Sequence, residues 1–474
     1  IRSISLIVAM VQNKEKSKRS HLKYVLNISL SYLLFLLVIG LFGTGFGAIE
    51  SLVIVLFACG ISTFYVIYKT QNIIFKNIDY FIVAVIFIVQ ALIGVAHFHS
   101  IINPAYFSVD VLGIDIAVNE HEGKSATYYY DIGYFAWLMV MIAEYRVLEG
   151  YFAMDPATVF FGHKNYFLAF LVSDLFYYSD TYVLNFMAIN ILSIFYSGIL
   201  LALIASNIFN SVHIEKIRVV FYLTILQPIA WIPSHTMRDT LGAFLVIFSV
   251  ALIYFSTSKL QKVFFSVLSL ALVFQHRSAY AISMLGNILL RNFSEGNKAK
   301  WFGIFVTLIL LLLLYFFISS DTGAIFLSIS SKSAGNSLLS GSSASEILIH
   351  FISLITGPFP WTQYYDGRVT GHSGFYSSIY TLQAAWHLAI LYFICLNIKK
   401  IFKNKKLRVH FYTIVLFAIP PIFSLGGMNI YLLPSLMLAL IFFHESSLRR
   451  FFLIFSGSVS FYIGASALFY FSKF

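Results

Sequence analysis

Ionisable side chains are sparse in this chain, and those that could do chemistry fall in a few short stretches. PSHTMRDTL at 233–241 holds His235, Arg238 and Asp239 in a tight turn between two apolar runs. Arg238 can fork onto a phosphate or carboxylate through two parallel hydrogen bonds. The same Arg–Asp pair would equally cap a helix starting near Asp239. QHRSAYAI at 275–282 sets His276 and Arg277 inside a long apolar stretch. That pattern fits an outer turn dipping into a helical bundle, or a cation snorkelling to a lipid headgroup. YYDGRVTGHSGFYSSIYTLQAAW at 364–386 gathers Tyr364, Tyr365, Asp366, Arg368, His372 and Trp386. Aromatic rings beside hydroxyls and carboxylates suit sugars, which are apolar on their faces and polar at their edges; an aromatic belt at a membrane interface has the same composition. Asp131 in TYYYDIGYF is a carboxylate among rings, a setting that can raise its pKa and make it a base, with helix capping as the competing role. Asp174 and Asp180 in SDLFYYSD have the same standing. NEHEG at 119–123 clusters His and Glu without a second ligand set, so a solvated loop and no metal are expected there.

These groups act together only if the elements between them bring one end of each to a common face. The chain has 474 residues, 59% of them hydrophobic and 11% charged. A soluble chain carries roughly 25% charged residues, so lipid is the natural solvent for this one. Apolar runs recur near 24–42, 51–68, 79–97, 183–206, 217–233, 240–256, 260–275, 278–291, 301–319, 381–397, 409–425, 429–444 and 451–471. The expectation is an all-α, polytopic integral membrane helical bundle over 1–474, with about 13 spans and a range of roughly 11–15. The range reflects 131–172, which could hold two more spans or interfacial and re-entrant helices, and where Glu144, Arg146 and Glu149 weaken a plain spanning reading.

The net charge of +11 does not form a nucleic-acid stripe. Most Lys and Arg sit in short clusters between apolar runs, at 14–23, 69–76, 216–218, 259–262, 291–300, 399–408 and 449–450. They alternate with successive spans and so fall on one face, cytoplasmic by the positive-inside rule. The outer face then receives 98–182 (two loops, with possible interfacial or re-entrant helices), 234–239, 276–277 and a large loop at 320–380. That last loop opens on a Gly/Ser-rich linker and continues through EILIHFISLI, apolar at helical spacing. Cys59 and Cys395 both lie in apolar runs, where a disulfide is not expected. A Gly-rich phosphate loop, HExxH, CxxC and GxSxG are all absent. No internal repeat is visible, and the halves differ in loop length, which counts against an inverted-repeat transporter. Arg238, Arg277 and Arg368 would share the outer face, and converging arginines suit a pyrophosphate, more so in a low-dielectric setting.

QHRSAYAI resembles an Arg-small-aromatic element of the O-antigen ligase and polymerase superfamily, and HSGFYSSIYTLQAAWHLAILYFI resembles its later element, in which a His starts a helix. The usual Asn after that His is replaced by Ser373 and Gly374, and the usual helix Gly by Ala384, Ala385 and Trp386. PSHTMRDTLGAFLVIFSVALIYF resembles an element of oligosaccharide repeat-unit polymerases. The resemblance covers about 238–395 in pieces.

The resemblance implies a bacterial inner-membrane glycosyltransferase of GT-C-like architecture with its large loop and active site in the periplasm. It would join undecaprenyl-pyrophosphate-linked oligosaccharide repeats into O-antigen or capsule. Arg238, Arg277 and Arg368 would bind pyrophosphate. His372 or Asp131 would act as base. His235, Asp239, His276, Tyr364, Tyr365 and Asp366 would hold glycan or support the arginines. No cofactor, metal or nucleic acid is implied; membrane lipid, a chain-length regulator and a flippase are the expected partners. The alternatives are an O-antigen ligase or other lipid-carrier glycosyltransferase, and a non-enzymatic polysaccharide or solute transporter.

Overall fold

The computed structural model describes residues 19–35, 37–38, 48–70, 77–101, 108–111, 114–117, 182–209, 214–231, 237–276, 278–293, 374–423, 432–445 and 448–471. Nearly all of these are helical. The helices are α1 (19–35), α2 (Ala48–Thr70), α3 (Asn77–Ile101), α4 (Tyr182–Phe209), α5 (Ile214–Ile225), α6 (Met237–Phe255), α7 (Lys259–His276), α8 (Ser278–Phe293), α9 (Gly374–Lys403), α10 (Lys405–Phe423), α11 (Leu433–Ala439) and α12 (Leu448–Phe471). A short antiparallel hairpin, Ser108–Val111 with Ile114–Ala117, lies in the first expected outer loop. The remaining parts of 98–182 and 320–380, and the apolar run 301–319, fall outside the described residues.

The protein is membrane-embedded, and its surface shows why. A water-facing helix turns polar residues outward, whereas these turn large apolar ones outward at helical spacing. On α2, Val53, Phe57, Phe64 and Tyr68 are exposed while Val55, Ala58, Cys59, Ser62 and Val66 are buried. On α7 the exposed set is Leu260, Val263, Phe264, Val267 and Phe274, with Leu260 80% exposed. Hydrocarbon is the solvent for such faces. Val53–Thr70, Met187–Phe209 and Thr381–Lys403 are long and apolar enough to cross a membrane; Asp79–Ile93, Asp239–Phe255 and Leu433–His444 are shorter apolar helices.

At the centre is α4, whose residues from Met187 to Ile208 are buried on every side. Apolar all round, it can be satisfied only inside the bundle. It packs chiefly on α5 and α6, and also on α2 and α3. Gly198 lets α5 come close: a Cβ there would stand 3.0 Å from a Phe221 ring carbon. Polar contacts between helices replace the hydrophobic drive that lipid does not supply. Ser31, Ser62 and Tyr196 bond mutually, with Tyr196 Oη 2.6 Å from Ser62 Oγ, and Tyr32 Oη lies 2.6 Å from Ser193 Oγ. This ties α1 and α2 to the middle of α4.

Two helical runs change character partway along. After α5 the chain turns at Leu226–Gln227 into a 3-10 segment, Pro228–Trp231. After α11 it tightens into a second, Leu440–Glu445. Pro228 lacks the N–H that an α-helix needs there and disfavours the α conformation at Gln227. The sequence runs 217–233 and 429–444 read as uniform spans, and each is in fact part α and part 3-10.

Candidate functional site

Successive helices alternate in direction, which gathers the described basic clusters at one end. Lys406 Nζ, at the start of α10, donates to the carbonyls of Asn207 (3.0 Å) and Ile208 (3.3 Å) at the end of α4. His21 near the start of α1 lies 3.3 Å from Ser206 and stacks on Phe255 at the end of α6. Tyr254 donates to Asn207 at 3.1 Å and lies 4.9 Å beneath the Arg291 guanidinium. On the same side of the chain, Arg218 of α5 is paired with Asp79 of α3, and Tyr222 donates to the same carboxylate oxygen. Asp79 is wholly buried. This ion pair joins residues 139 apart in sequence.

The opposite end carries Arg238, Asp239 and His276. Arg238 lies in the first turn of α6, where Asp239 is half-buried. An acid at that position meets the positive end of the helix dipole, but Asp239 lies within the first turn of α6 and not at its N-cap. The neighbouring Thr240 is buried and donates to Asn190 of α4 at 2.6 Å, which anchors this turn to the central helix. His276 is the last residue of α7 and Ser278 the first of α8. The helices α6, α7 and α8 pack on one another. The end of α7 and the start of α8 therefore belong to the same end of the bundle as the start of α6. Gly374, two residues after His372 in sequence, begins α9.

Arg277, His372, Asp131, Arg368, His235, Tyr364, Tyr365 and Asp366 lie outside the described residues. The side chains of Arg238 and His276 are likewise not described. Trp386 is 2% exposed, with its ring against Phe451 (4.5 Å between centroids) and Phe455 (5.1 Å) of α12, so it packs the bundle and is closed to a glycan. Among the described residues no cluster of three or more His, Cys, Asp or Glu could hold a metal.

A polar junction that the motifs did not single out lies inside this half of the bundle. The Ile229 N–H, in the first 3-10 segment, donates to Gln383 Oε1 of α9 at 2.8 Å. The other end of that amide, Gln383 Nε2, lies 2.7 Å from His387 Nε2. With Oε1 occupied by a donor, the Gln383 amide must donate to the ring. His387 Nε2 is then an acceptor and its proton sits on Nδ1. Both side chains are buried, and His387 Nδ1 has no hydrogen-bond partner among the described residues. The spacing of Gln383 and His387, four apart in an apolar helix, was a readable signal of a shared face; their partner in a distant 3-10 turn was not. Gln90 of α3 similarly donates to the Ile225 carbonyl (3.1 Å), where α5 gives out.

Searches against protein-family models, characterised proteins and solved structures return no match to this chain.

Proposed function

We propose that this protein is a polysaccharide polymerase that joins polyprenyl-pyrophosphate-linked oligosaccharide repeats on the periplasmic face of a bacterial inner membrane. The observation that supports the reading is the segregation of charge: the described basic residues at the ends of α9 and α10 adjoin the end of α4, and the start of α6, with Arg238, and the α7–α8 junction lie at the other end of the bundle. With the basic end cytoplasmic, Arg238 and Arg277 face a compartment without ATP or nucleotide sugars, where an activated lipid-linked donor supplies the driving force. About 13 spans and a GT-C-like arrangement complete the proposal.

In this reaction the C1–O bond between the growing glycan and its carrier pyrophosphate breaks. A hydroxyl of the incoming repeat forms the new C1–O bond and gives its proton to His372, or failing that Asp131. The bond electrons leave with the pyrophosphate, which stays on its lipid. Arg238, Arg277 and Arg368 neutralise that leaving group, and charge stabilisation in a dry site suffices without a metal. His235, Asp239, His276, Tyr364, Tyr365 and Asp366 hold the glycan or orient the arginines. A ligase would use similar arginines with a different acceptor.

One observation favours a second reading, a transporter. The two interrupted helical runs, 214–231 and 433–445, traverse the bundle in opposite senses and pack together where α5 meets Leu440–Glu445, and α9 touches both Pro228–Trp231 and α11. Interrupted, oppositely directed helices are a device of transporter sites. Glycans of a deletion strain separate the readings. A polymerase mutant keeps single repeats on its acceptor and loses the long chains. A ligase mutant accumulates long chains on the lipid carrier. A transporter mutant delivers no repeats to the periplasm.

A further inference from the structure

Among the described residues, the ends of α9, α10 and α12 bring eight Lys and Arg together. Lys399, Lys400 and Lys403 close α9, Lys405, Lys406 and Arg408 open α10, and Arg449 and Arg450 open α12. The three ends are neighbours, because α9 packs on both α10 and α12 and only Asn404 separates α9 from α10. Several of the cations are engaged within the fold: Lys406 closes the carbonyl end of α4, Arg408 donates to the Phe402 carbonyl at 3.4 Å, and Arg450 lies 5.8 Å from the Phe393 ring. Lys399, Lys403, Lys405 and Arg449 are exposed. Their positions on α10 and α12 are not explained by helix electrostatics, since a cation in a first turn meets the positive end of the dipole. Neither α10 nor α12 has an acid in its first turn to compensate. Membrane orientation alone asks for a bias of charge and not for eight cations on three adjoining helix ends.

The residues beside these cations identify what would neutralise them. Leu396 is 51% exposed one turn before Lys400, and Leu453 is 66% exposed one turn after Arg449. Phe402, next to Lys403, and Phe452, three residues after Arg449, are exposed as well. Charge therefore gives way to lipid-facing apolar surface within a single helical turn on both α9 and α12. A soluble anion or an acidic protein would match the charge alone, whereas the apolar border beside it is already covered by bilayer lipid. A phospholipid matches both, with its phosphate among the cations and its acyl chains along Leu396 and Leu453.

We infer that the α9–α10–α12 end is a binding surface for anionic phospholipid headgroups, a role independent of any glycan transfer. Each Lys or Arg near an anionic surface contributes about a fivefold gain in affinity. The full-length protein in nanodiscs of equal phosphatidylglycerol and phosphatidylcholine, released into native mass spectrometry, is expected to retain phosphatidylglycerol preferentially. The K399Q/K403Q/K405Q/R449Q variant is expected to weaken that preference by at least about tenfold, while K399R/K403R/K405R/R449K keeps it. The wild-type preference should also fall steeply as salt is raised, a readout that needs no variant. Equal retention of the two lipids by wild type, a preference unmoved by salt, or a neutralised variant that selects phosphatidylglycerol as well as wild type would overturn the inference. The first of these results would turn attention to an acidic protein partner.

Discussion

Arg218→Met is the substitution with the largest expected effect on stability. Asp79 is wholly buried and the Arg218 side chain is only 17% exposed, so water cannot replace the guanidinium once it is gone. Removing one member of such a pair costs about 3–5 kcal/mol, because the other charge stays buried without compensation. The Tyr222 hydroxyl still donates to Asp79 and offsets part of this. A hydrogen bond to a charged group contributes about 1.5–3 kcal/mol, and its survival places the loss near the lower end, at about 3 kcal/mol. Adding Asp79→Asn removes the second charge and keeps an acceptor for Tyr222, so the double variant should regain at least half of the loss. Reversible denaturation in mixed SDS micelles, followed by tryptophan fluorescence, measures both variants. A loss under about 1 kcal/mol for the single variant, or a double variant no more stable than the single, would refute a buried ion pair that locks α3 to α5.

Two further substitutions test the packing and the polar junction. Gly198→Ala should destabilise by about 1–3 kcal/mol, since the new methyl meets Phe221 at 3.0 Å, whereas Gly457→Ala, which meets open space inside α12, should be neutral or stabilising by up to about 1 kcal/mol in the same denaturation assay. Gln383→Leu strands the buried Ile229 N–H and should cost about 1–3 kcal/mol. It should also release the His387 tautomer, seen as a change from the Nδ1-protonated pattern in nitrogen-15 spectra of histidine-labelled protein; a wild-type ring protonated on Nε2 would contradict the assigned relay.

Much of the membrane architecture was legible from composition and run length. The helices α4, α6, α7 and α8 begin and end within about three residues of their apolar runs, because charge and helix termini coincide at a membrane boundary. The alternation of Lys and Arg clusters placed them on one face before any contact was known, and contacts such as Lys406 with the end of α4 put them there in space. Interruption of the spans was less visible. The Gln227–Pro228 step announces a break, yet nothing local in LIFFHE signals a 3-10 segment. Long-range polar pairs were not legible at all, since the pairing of Asp79 with Arg218, or of Gln383 with Ile229, depends on which helices adjoin. Trp386 shows the converse failure: an aromatic residue in a promising motif is held by Phe451 and Phe455. For the candidate site, Arg238 falls in the first turn of α6 as its position between apolar runs suggested, Arg277 lies outside the described residues, and the chemistry proposed for both rests on residue type and resemblance.

The central claim is that outer-end arginines neutralise a lipid pyrophosphate during polymer formation, and Arg277→Ala tests it most directly. A deletion strain complemented with wild type should show a ladder of glycan lengths. Complemented with Arg277→Ala at equal protein level, it should retain single repeats and lose the ladder. A normal ladder from the Arg277→Ala strain would contradict the account.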